Sequence, residues 1–195
     1  MSITPAQPEA VVDLIDASQA PLLARPYYRS SDPGPIVAAL AHVPELLDSA
    51  MPFLAAMYGP SSLPARFKEI VVVRTSAHQE CRYCIESHSV VALDAGLSRS
   101  EILNLRDLDD PALERWSKNG TREPALVAWI DAVAGATGGV PAGTTRALRT
   151  CFSHAEIVEL TLLIGVTMML NRFCTALGLA SSNETRERLR AESLL

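Results

Sequence analysis

Apolar residues recur three and four positions apart along most of the chain, which is the spacing of one face of a helix. From Val43 the pattern continues until Gly59, and Pro44 stands at the first helical position, where proline is tolerated. The same reasoning predicts a helix after Pro64 and helices over Cys81–Ala95, Pro124–Ala136, Thr144–Thr150 and Ala155–Leu177. No segment shows the alternation of a strand, so the predicted fold class is all-α, a single-domain helical bundle.

Two features of this pattern need interpretation. The run Val71–Val73 is β-branched and suits a strand, but strong helix-forming residues flank it and no turn signal interrupts them. We therefore predict a helix there. The last long helix, Ala155–Leu177, is apolar on nearly all sides and is expected to lie at the centre of the bundle.

Proline and charge divide the chain into three segments. Residues 1–42 carry a dense series of prolines and predict an arm with only short helical turns. Residues 43–180 are predicted to form the helical domain, and residues 181–195 a C-terminal helical tail. Inside the domain, the charged segment between residues 106 and 123 predicts a surface connection.

Composition narrows the class of protein. The 195 residues are 48% apolar and 20% charged, as in one soluble globular domain. A formal charge of -5 lacks the basic field that nucleic acid requires, and four cysteines are too few for a disulfide framework. No secretory signal is evident, and the longest uncharged run, Leu160–Asn171, is shorter than the roughly 20 residues of a bilayer span. We expect a cytoplasmic protein with no nucleic-acid or membrane partner.

The densest group of reactive residues contains two cysteines in a C-x-x-C motif. Cys81 and Cys84 stand at the start of a predicted helix, where their Cα atoms would be about 5 to 6 Å apart, within disulfide range. Free amides of a first helical turn lower a thiol pKa; Arg82 acts in the same direction and Glu80 opposes it. The pair is therefore a candidate redox-active dithiol.

A histidine and a glutamate accompany the dithiol. His88 lies one helical turn after Cys84 and two turns after Cys81, so the imidazole is expected to serve Cys84. Glu69, on the preceding helix, would reach the same stripe if the two helices pack antiparallel, and would then orient the imidazole. The expected site is thus a carboxylate, an imidazole and a dithiol in line.

These residues resemble a known family. The stretch SLPARFKEIVVVRTSAHQECRYCIESHSVVALDAGLS is similar to the core of the carboxymuconolactone decarboxylase superfamily, in its alkyl hydroperoxidase D-like (AhpD-like) branch. Glu69, Cys81, Cys84 and His88 match the branch motif in order and spacing. The downstream stretch EIVELTLLIGVTMMLNRFCTALGLA resembles the closing helix of that family.

The resemblance implies a thiol-dependent peroxidase or disulfide reductase that acts on small hydroperoxides. It implies that Cys84 attacks the peroxide, Cys81 resolves the product as a disulfide, and His88 with Glu69 relays protons. It further implies an external dithiol or thiol-protein reductant, no organic cofactor or metal, and a homotrimer or homohexamer. One departure is Tyr83, which stands where the best-known peroxidase of the family has a histidine.

Other interpretations remain open at this stage. Cys81 and Cys84 with His88 and His78 could hold structural zinc, or the two thiols could simply pack in the core. The dithiol could also belong to a redox-sensing or stress-related oligomer with little turnover, or to a decarboxylase-like enzyme acting on an unknown substrate. The decarboxylating branch lacks the cysteine pair, which argues against lactone decarboxylation. The remaining thiols, Cys151 and Cys174, are predicted to be packing residues.

Overall fold

The computed structural model describes residues 10–29, 32–109, 122–135 and 137–195, and every regular element in these ranges is helical. A short 3-10 turn, Arg25–Tyr27, precedes the α-helices. They are α1 Pro35–Leu40, α2 Pro44–Tyr58, α3 Ala65–His78, α4 Arg82–Asp94, α5 Arg99–Arg106, α6 Arg122–Ala134, α7 Ala142–Cys151, α8 His154–Ala176 and α9 Asn183–Ala191. The all-α prediction is confirmed.

Helix α3 lies at the centre of the bundle. It packs against α4, α6 and α8, and its residues 68–77 are all buried. The run Val71–Val73 is helical, because a helix enclosed on every side accepts β-branched residues whose packing outweighs their weak propensity. The central position predicted for Ala155–Leu177 is wrong: α8 buries one side, whereas Val158 is 67% and Met169 53% exposed.

Local sequence signals mark the helix ends, and Pro44 does so as predicted. Pro44 begins α2, and Gly96 adopts the left-handed backbone with φ +86° just after α4. Ser98 and Ser153 each form a capping box with the glutamate three residues later. Helix α6 begins two residues earlier than predicted, at Arg122, and Ala136 lies outside the described residues. Most of the predicted surface connection, 110–121, also lies outside them.

The arm and the tail both pack on the helical domain. In the described part of the arm, the Val11 amide donates to the Leu177 carbonyl of the domain at 3.1 Å, and within the arm the Ile15 amide donates to the Ala38 carbonyl at 3.2 Å. The tail helix α9 packs against α4. The buried carboxylate of Glu86 on α4 accepts hydrogen bonds from Arg82 and from Ser181, at the start of the tail. The tail therefore helps to hold α4, the helix that carries the dithiol.

Among the described residues, α8 is the one helix whose length and apolar composition would allow it to cross a bilayer. The helix extends at both ends beyond the uncharged run Leu160–Asn171 on which the sequence prediction was based. Core helices of soluble proteins pass the same test. Here α8 packs against α3, α4 and α6 through its buried residues, while Val158, Leu162 and Met169 are exposed.

Candidate active site

The C-x-x-C pair lies at the tight hairpin between α3 and α4. Glu80 takes a left-handed conformation with φ +53°, and the Cys81 amide donates back to the Ser76 carbonyl at 3.1 Å. This turn makes Cys81 the N-cap of α4, where its Sγ accepts the backbone N–H of Cys84 at 3.4 Å. The two Sγ atoms are 2.7 Å apart. Oxidation to a disulfide therefore requires little backbone movement.

A third thiol lies beside the pair. Cys174 projects from α8 into the same small apolar cluster as Cys81 and Cys84, and it is within hydrogen-bonding reach of both sulfur atoms. All three cysteines are buried and reduced. The sequence alone predicted a packing role for Cys174, which has no partner motif. In the structure it lies in the thiol site.

The pKa values of the three thiols differ, so negative charge is unequally distributed among them. Hydrogen bonds from Cys174 and Cys84, together with the Cys84 amide, lower the pKa of Cys81 to about 3. The hydrogen bond from Cys174 favours the Cys84 thiolate, but contact with the charged Cys81 sulfur and burial prevail and raise the pKa of Cys84 to about 12. The pKa of Cys174 is also raised, by its hydrogen bonds to the other two thiols and by burial. The resting negative charge therefore lies on Cys81, at the helix N-terminus.

Glu69 and His88 form the predicted pair. The Nδ1 atom of His88 is 3.0 Å from Oε2 of Glu69, and Glu69 is buried while His88 is partly exposed. This contact fixes the imidazole on the α3 side of α4. Among the residues that the structure describes, no hydrogen bond joins the imidazole to either sulfur of the C-x-x-C pair.

Tyr58 lies beside His88. Its ring lies 5.7 Å from the His88 ring, and its hydroxyl is 3.2 Å from Oγ1 of Thr167. Burial raises the pKa of Tyr58 to about 12, and the nearby charges of Cys84 and Glu69 act in the same direction. The phenol is therefore neutral and lies near the site. Sequence reasoning missed it.

The position of Tyr58 depends on a buried lysine. Lys68 on α3 donates from Nζ to the carbonyls of Met57 and Gly59, at 3.0 and 2.7 Å, and pairs with Glu159 at 3.0 Å. These contacts tie the C-terminal end of α2 to α3 and α8. Because Tyr58 lies between the two carbonyls that Lys68 binds, the lysine helps to hold the phenol in place.

Helix α8 contributes a polar stripe to the site. Thr167, Asn171 and Cys174 follow one another at helical spacing and are all buried, in a helix whose other buried residues are apolar. Asn171 donates to Ser76 Oγ at 3.0 Å and also lies within hydrogen-bonding reach of Cys84. Its buried Oδ1 has no hydrogen-bond partner among the residues that the structure describes. This i, i+4, i+7 polar pattern was the signal by which the sequence could have revealed the α8 side of the site.

A small pocket reaches the thiols from the α4 N-terminus. It has a volume of about 150 Å³ and is lined by Cys81, Tyr83 and Cys174 together with the Gly178 turn, but not by Cys84. Tyr83 is largely buried there, and this burial, with the nearby thiol charges, raises its pKa to about 12. The phenol that replaces the family histidine is therefore neutral.

One of the four suggested zinc ligands, His78, contacts another residue. His78 is bound by Asp131 at 2.7 Å, and the same carboxylate holds Arg74 in a buried ion pair. No group of three or more histidine, cysteine or acidic side chains in the described chain has the arrangement of a metal site. His78 therefore belongs to a structural charge cluster between α3 and α6.

This geometry, a helix-capping C-x-x-C pair beside a buried glutamate and histidine in an all-α bundle, agrees with the AhpD-like resemblance of the sequence. Residues 44–114 match the model of the carboxymuconolactone decarboxylase family, and this segment contains Glu69, the dithiol and His88. Over this segment the chain is similar to that family. A comparison with curated proteins gave no match.

Solved structures share the fold. A protein of unknown function from Agrobacterium tumefaciens, named as a proposed antioxidant defence protein AhpD, is 28% identical, with a TM-score of 0.62 over 71% of this chain and 92% of its own. An uncharacterized peroxidase-related protein from Ralstonia eutropha JMP134 is 18% identical, with a TM-score of 0.74 over 92% and 96%. The debrominase Bmp8 is 17% identical, with a TM-score of 0.78 over 94% and 98%.

Proposed function

We propose that this protein is a thiol-dependent peroxidase or disulfide reductase that reduces small hydroperoxides. The observation that carries the proposal is the pair of sulfur atoms 2.7 Å apart at the N-terminus of α4, next to the Glu69–His88 contact. A dithiol in this arrangement cycles between reduced and disulfide forms. A proton relay beside it serves the cleavage of an O–O bond.

The reaction begins at Cys84. Its proton passes to the Cys81 thiolate across their contact, and the Cys84 thiolate attacks the terminal oxygen of the peroxide. The O–O bond breaks, Cys84 becomes a sulfenic acid and the alcohol leaves with a proton that His88, oriented by Glu69, supplies. Cys81 then condenses with the sulfenic acid, which forms the disulfide and releases water. An external dithiol returns both thiols to the reduced state.

Three observations favour Cys84 as the attacking residue. It is the cysteine of the pair that lies close to Tyr58, it is within reach of Asn171, and it is one helical turn from His88. The opposing consideration is that the resting charge lies on Cys81. Attack by Cys84 and attack by Cys81 predict different results for single cysteine variants.

The test is peroxide consumption with a dithiol reductant, measured with hydrogen peroxide and an organic hydroperoxide. The wild type should consume many equivalents, Cys81→Ser should undergo one oxidation without turnover through the Cys81–Cys84 disulfide, and Cys84→Ser should not react with peroxide. Sulfenic acid trapped on Cys81 in Cys84→Ser at the wild-type rate would refute the assignment of Cys84. A single stoichiometric oxidation of the wild type would instead indicate the redox-sensing alternative.

An assembly of several chains accompanies this proposal. An exposed apolar stripe on α8, which includes Val158, Leu162 and Met169, continues into an apolar pocket of about 440 Å³ between α2 and α8. A contiguous apolar surface of this kind marks a protein contact. We propose that copies of the chain associate through this face, as a trimer or a hexamer.

A further inference from the structure

Cys174 is the feature of the site that a two-cysteine reaction does not use. It is fully buried on α8, in the same apolar cluster as Cys81 and Cys84 and in hydrogen-bonding reach of both sulfur atoms. Its side chain comes from a different helix, more than 80 residues further along the chain. A third thiol in the same cluster as a disulfide-forming pair is placed to exchange with it.

The pocket distinguishes the three sulfur atoms. Cys81 and Cys174 both line the pocket at the N-terminus of α4, whereas Cys84 does not. Cys84 lies on the other side of the pair, toward Tyr58 and Asn171. A Cys81–Cys84 disulfide would therefore present only one of its sulfur atoms to the pocket, and a Cys81–Cys174 disulfide would present both.

We propose that Cys174 is a redox-active thiol that exchanges into the Cys81–Cys84 disulfide, giving a Cys81–Cys174 disulfide at the pocket and returning Cys84 to its thiol form. The inference rests on the proposed dithiol chemistry and adds a third participant to it. Its consequence is a separation of the two half-reactions: peroxide reacts at Cys84, and the reductant acts on the disulfide at the pocket.

The exchange balances without a further reactant. The Cys174 thiolate attacks Sγ of Cys81, a Cys81–Cys174 bond forms, and the Cys81–Cys84 bond breaks with its electron pair remaining on Cys84. The proton that Cys174 loses passes to the released Cys84. An external dithiol then attacks the Cys81–Cys174 disulfide, becomes a disulfide itself and leaves both cysteines as thiols.

The first experiment asks whether the bond forms. Cys151→Ala is the background, so that only the three site thiols are counted, and Cys84→Ser is added to it. The oxidant is one equivalent of diamide, a diazene that takes up two electrons and two protons. Free thiols are then blocked and disulfides mapped by mass spectrometry without reduction. We expect an intramolecular Cys81–Cys174 disulfide in most chains, and none in a matched variant that also carries Cys174→Ser.

The result that overturns the proposal is a Cys174 that stays reduced, or that links only to other chains, while the Cys151→Ala parent forms its Cys81–Cys84 disulfide under the same conditions. Because diamide replaces peroxide, this test is separate from the proposed function. Disulfide formation without peroxide turnover in the wild type would refute the peroxidase and leave the exchange intact. Peroxide turnover with an unreactive Cys174 would support the peroxidase and refute the exchange.

A second experiment does not depend on the fold of the Cys84→Ser variant. The Cys174→Ser variant retains the C-x-x-C pair, and its oxidised form is reduced with dithiothreitol under pseudo-first-order conditions. We expect slower reduction than in the wild type. Equal reduction rates for the two proteins would show that Cys174 takes no part in the reductive half-reaction.

Discussion

Replacing Cys174 by alanine should make the Cys81 thiolate harder to form. The hydrogen bond from Cys174 is the largest contribution to the low pKa of Cys81. A hydrogen bond to a charged group contributes about 1.5–3 kcal/mol, and about 1.4 kcal/mol corresponds to one pKa unit. We therefore expect Cys174→Ala to raise the pKa of Cys81 by about one to two units. Cys174→Ser keeps a donor and should raise it by less.

The direction of the pH effect follows from the sign of the shift. The thiolate of Cys81 is present above its folded pKa and is lost as the pH falls through it, so the variant should lose thiolate at a higher pH than the wild type. The same depressed pKa stabilises the folded chain above the unfolded pKa, and this stabilisation disappears as the pH falls toward the folded value. Part of this stabilisation of the folded chain should be missing in Cys174→Ala.

The assay is the ultraviolet absorbance of the thiolate in the reduced protein, titrated from neutral to acid pH. Cys81→Ser supplies the baseline, and circular dichroism recorded on the same samples limits the analysis to folded protein. A titration of Cys174→Ala that coincides with the wild type, or that lies at lower pH, would refute the reasoning. It would mean that the N-terminus of α4 alone sets the charge on Cys81.

Other expectations concern the relay, the buried lysine and the assembly. His88→Ala should slow the first oxidation by roughly 10²–10⁴-fold in rapid-mixing experiments. Glu69→Gln should slow it by less, since the amide oxygen of the glutamine still accepts from Nδ1 of His88. Equal losses in the two variants would argue against an orienting role for Glu69. Lys68→Met removes the donor to two carbonyls and the ion pair with Glu159, and should destabilise the fold by about 2–3 kcal/mol in urea unfolding. Unchanged stability would contradict this. Met169→Glu should reduce the mass measured by light scattering, and a monomeric wild type would refute the assembly. Metal analysis of purified protein should find less than one zinc per chain, whereas tightly held stoichiometric zinc would restore the structural alternative.

Much of the site was predictable because it is local in sequence. Cys81, Cys84 and His88 lie within two helical turns, so helix geometry alone places them on neighbouring positions. Glu69 was predictable because a tight hairpin joins α3 to α4 and forces the two helices to pack side by side. Short separations and capping signals restrict the backbone before any tertiary contact forms.

The α8 side of the site was hidden for the opposite reason. Asn171 and Cys174 reach the dithiol only because α8 packs across α3 and α4, and the periodicity of a helix does not state which neighbour its polar stripe meets. Tyr58 likewise enters the site through the end of α2, at a position fixed by Lys68. In each case the deciding contact joins residues far apart in the chain.

The sequence by itself determined the helices, their ends, the dithiol at a helix N-terminus and the Glu69–His88 pair, since these depend on spacing and capping within short segments. Only the tertiary structure decided that α3 lies at the centre in place of α8, and that the dithiol has a third thiol and a neutral phenol beside it. The physical reason is burial: which apolar face is covered, and which polar groups are brought together beneath it, depends on how all the helices pack at once.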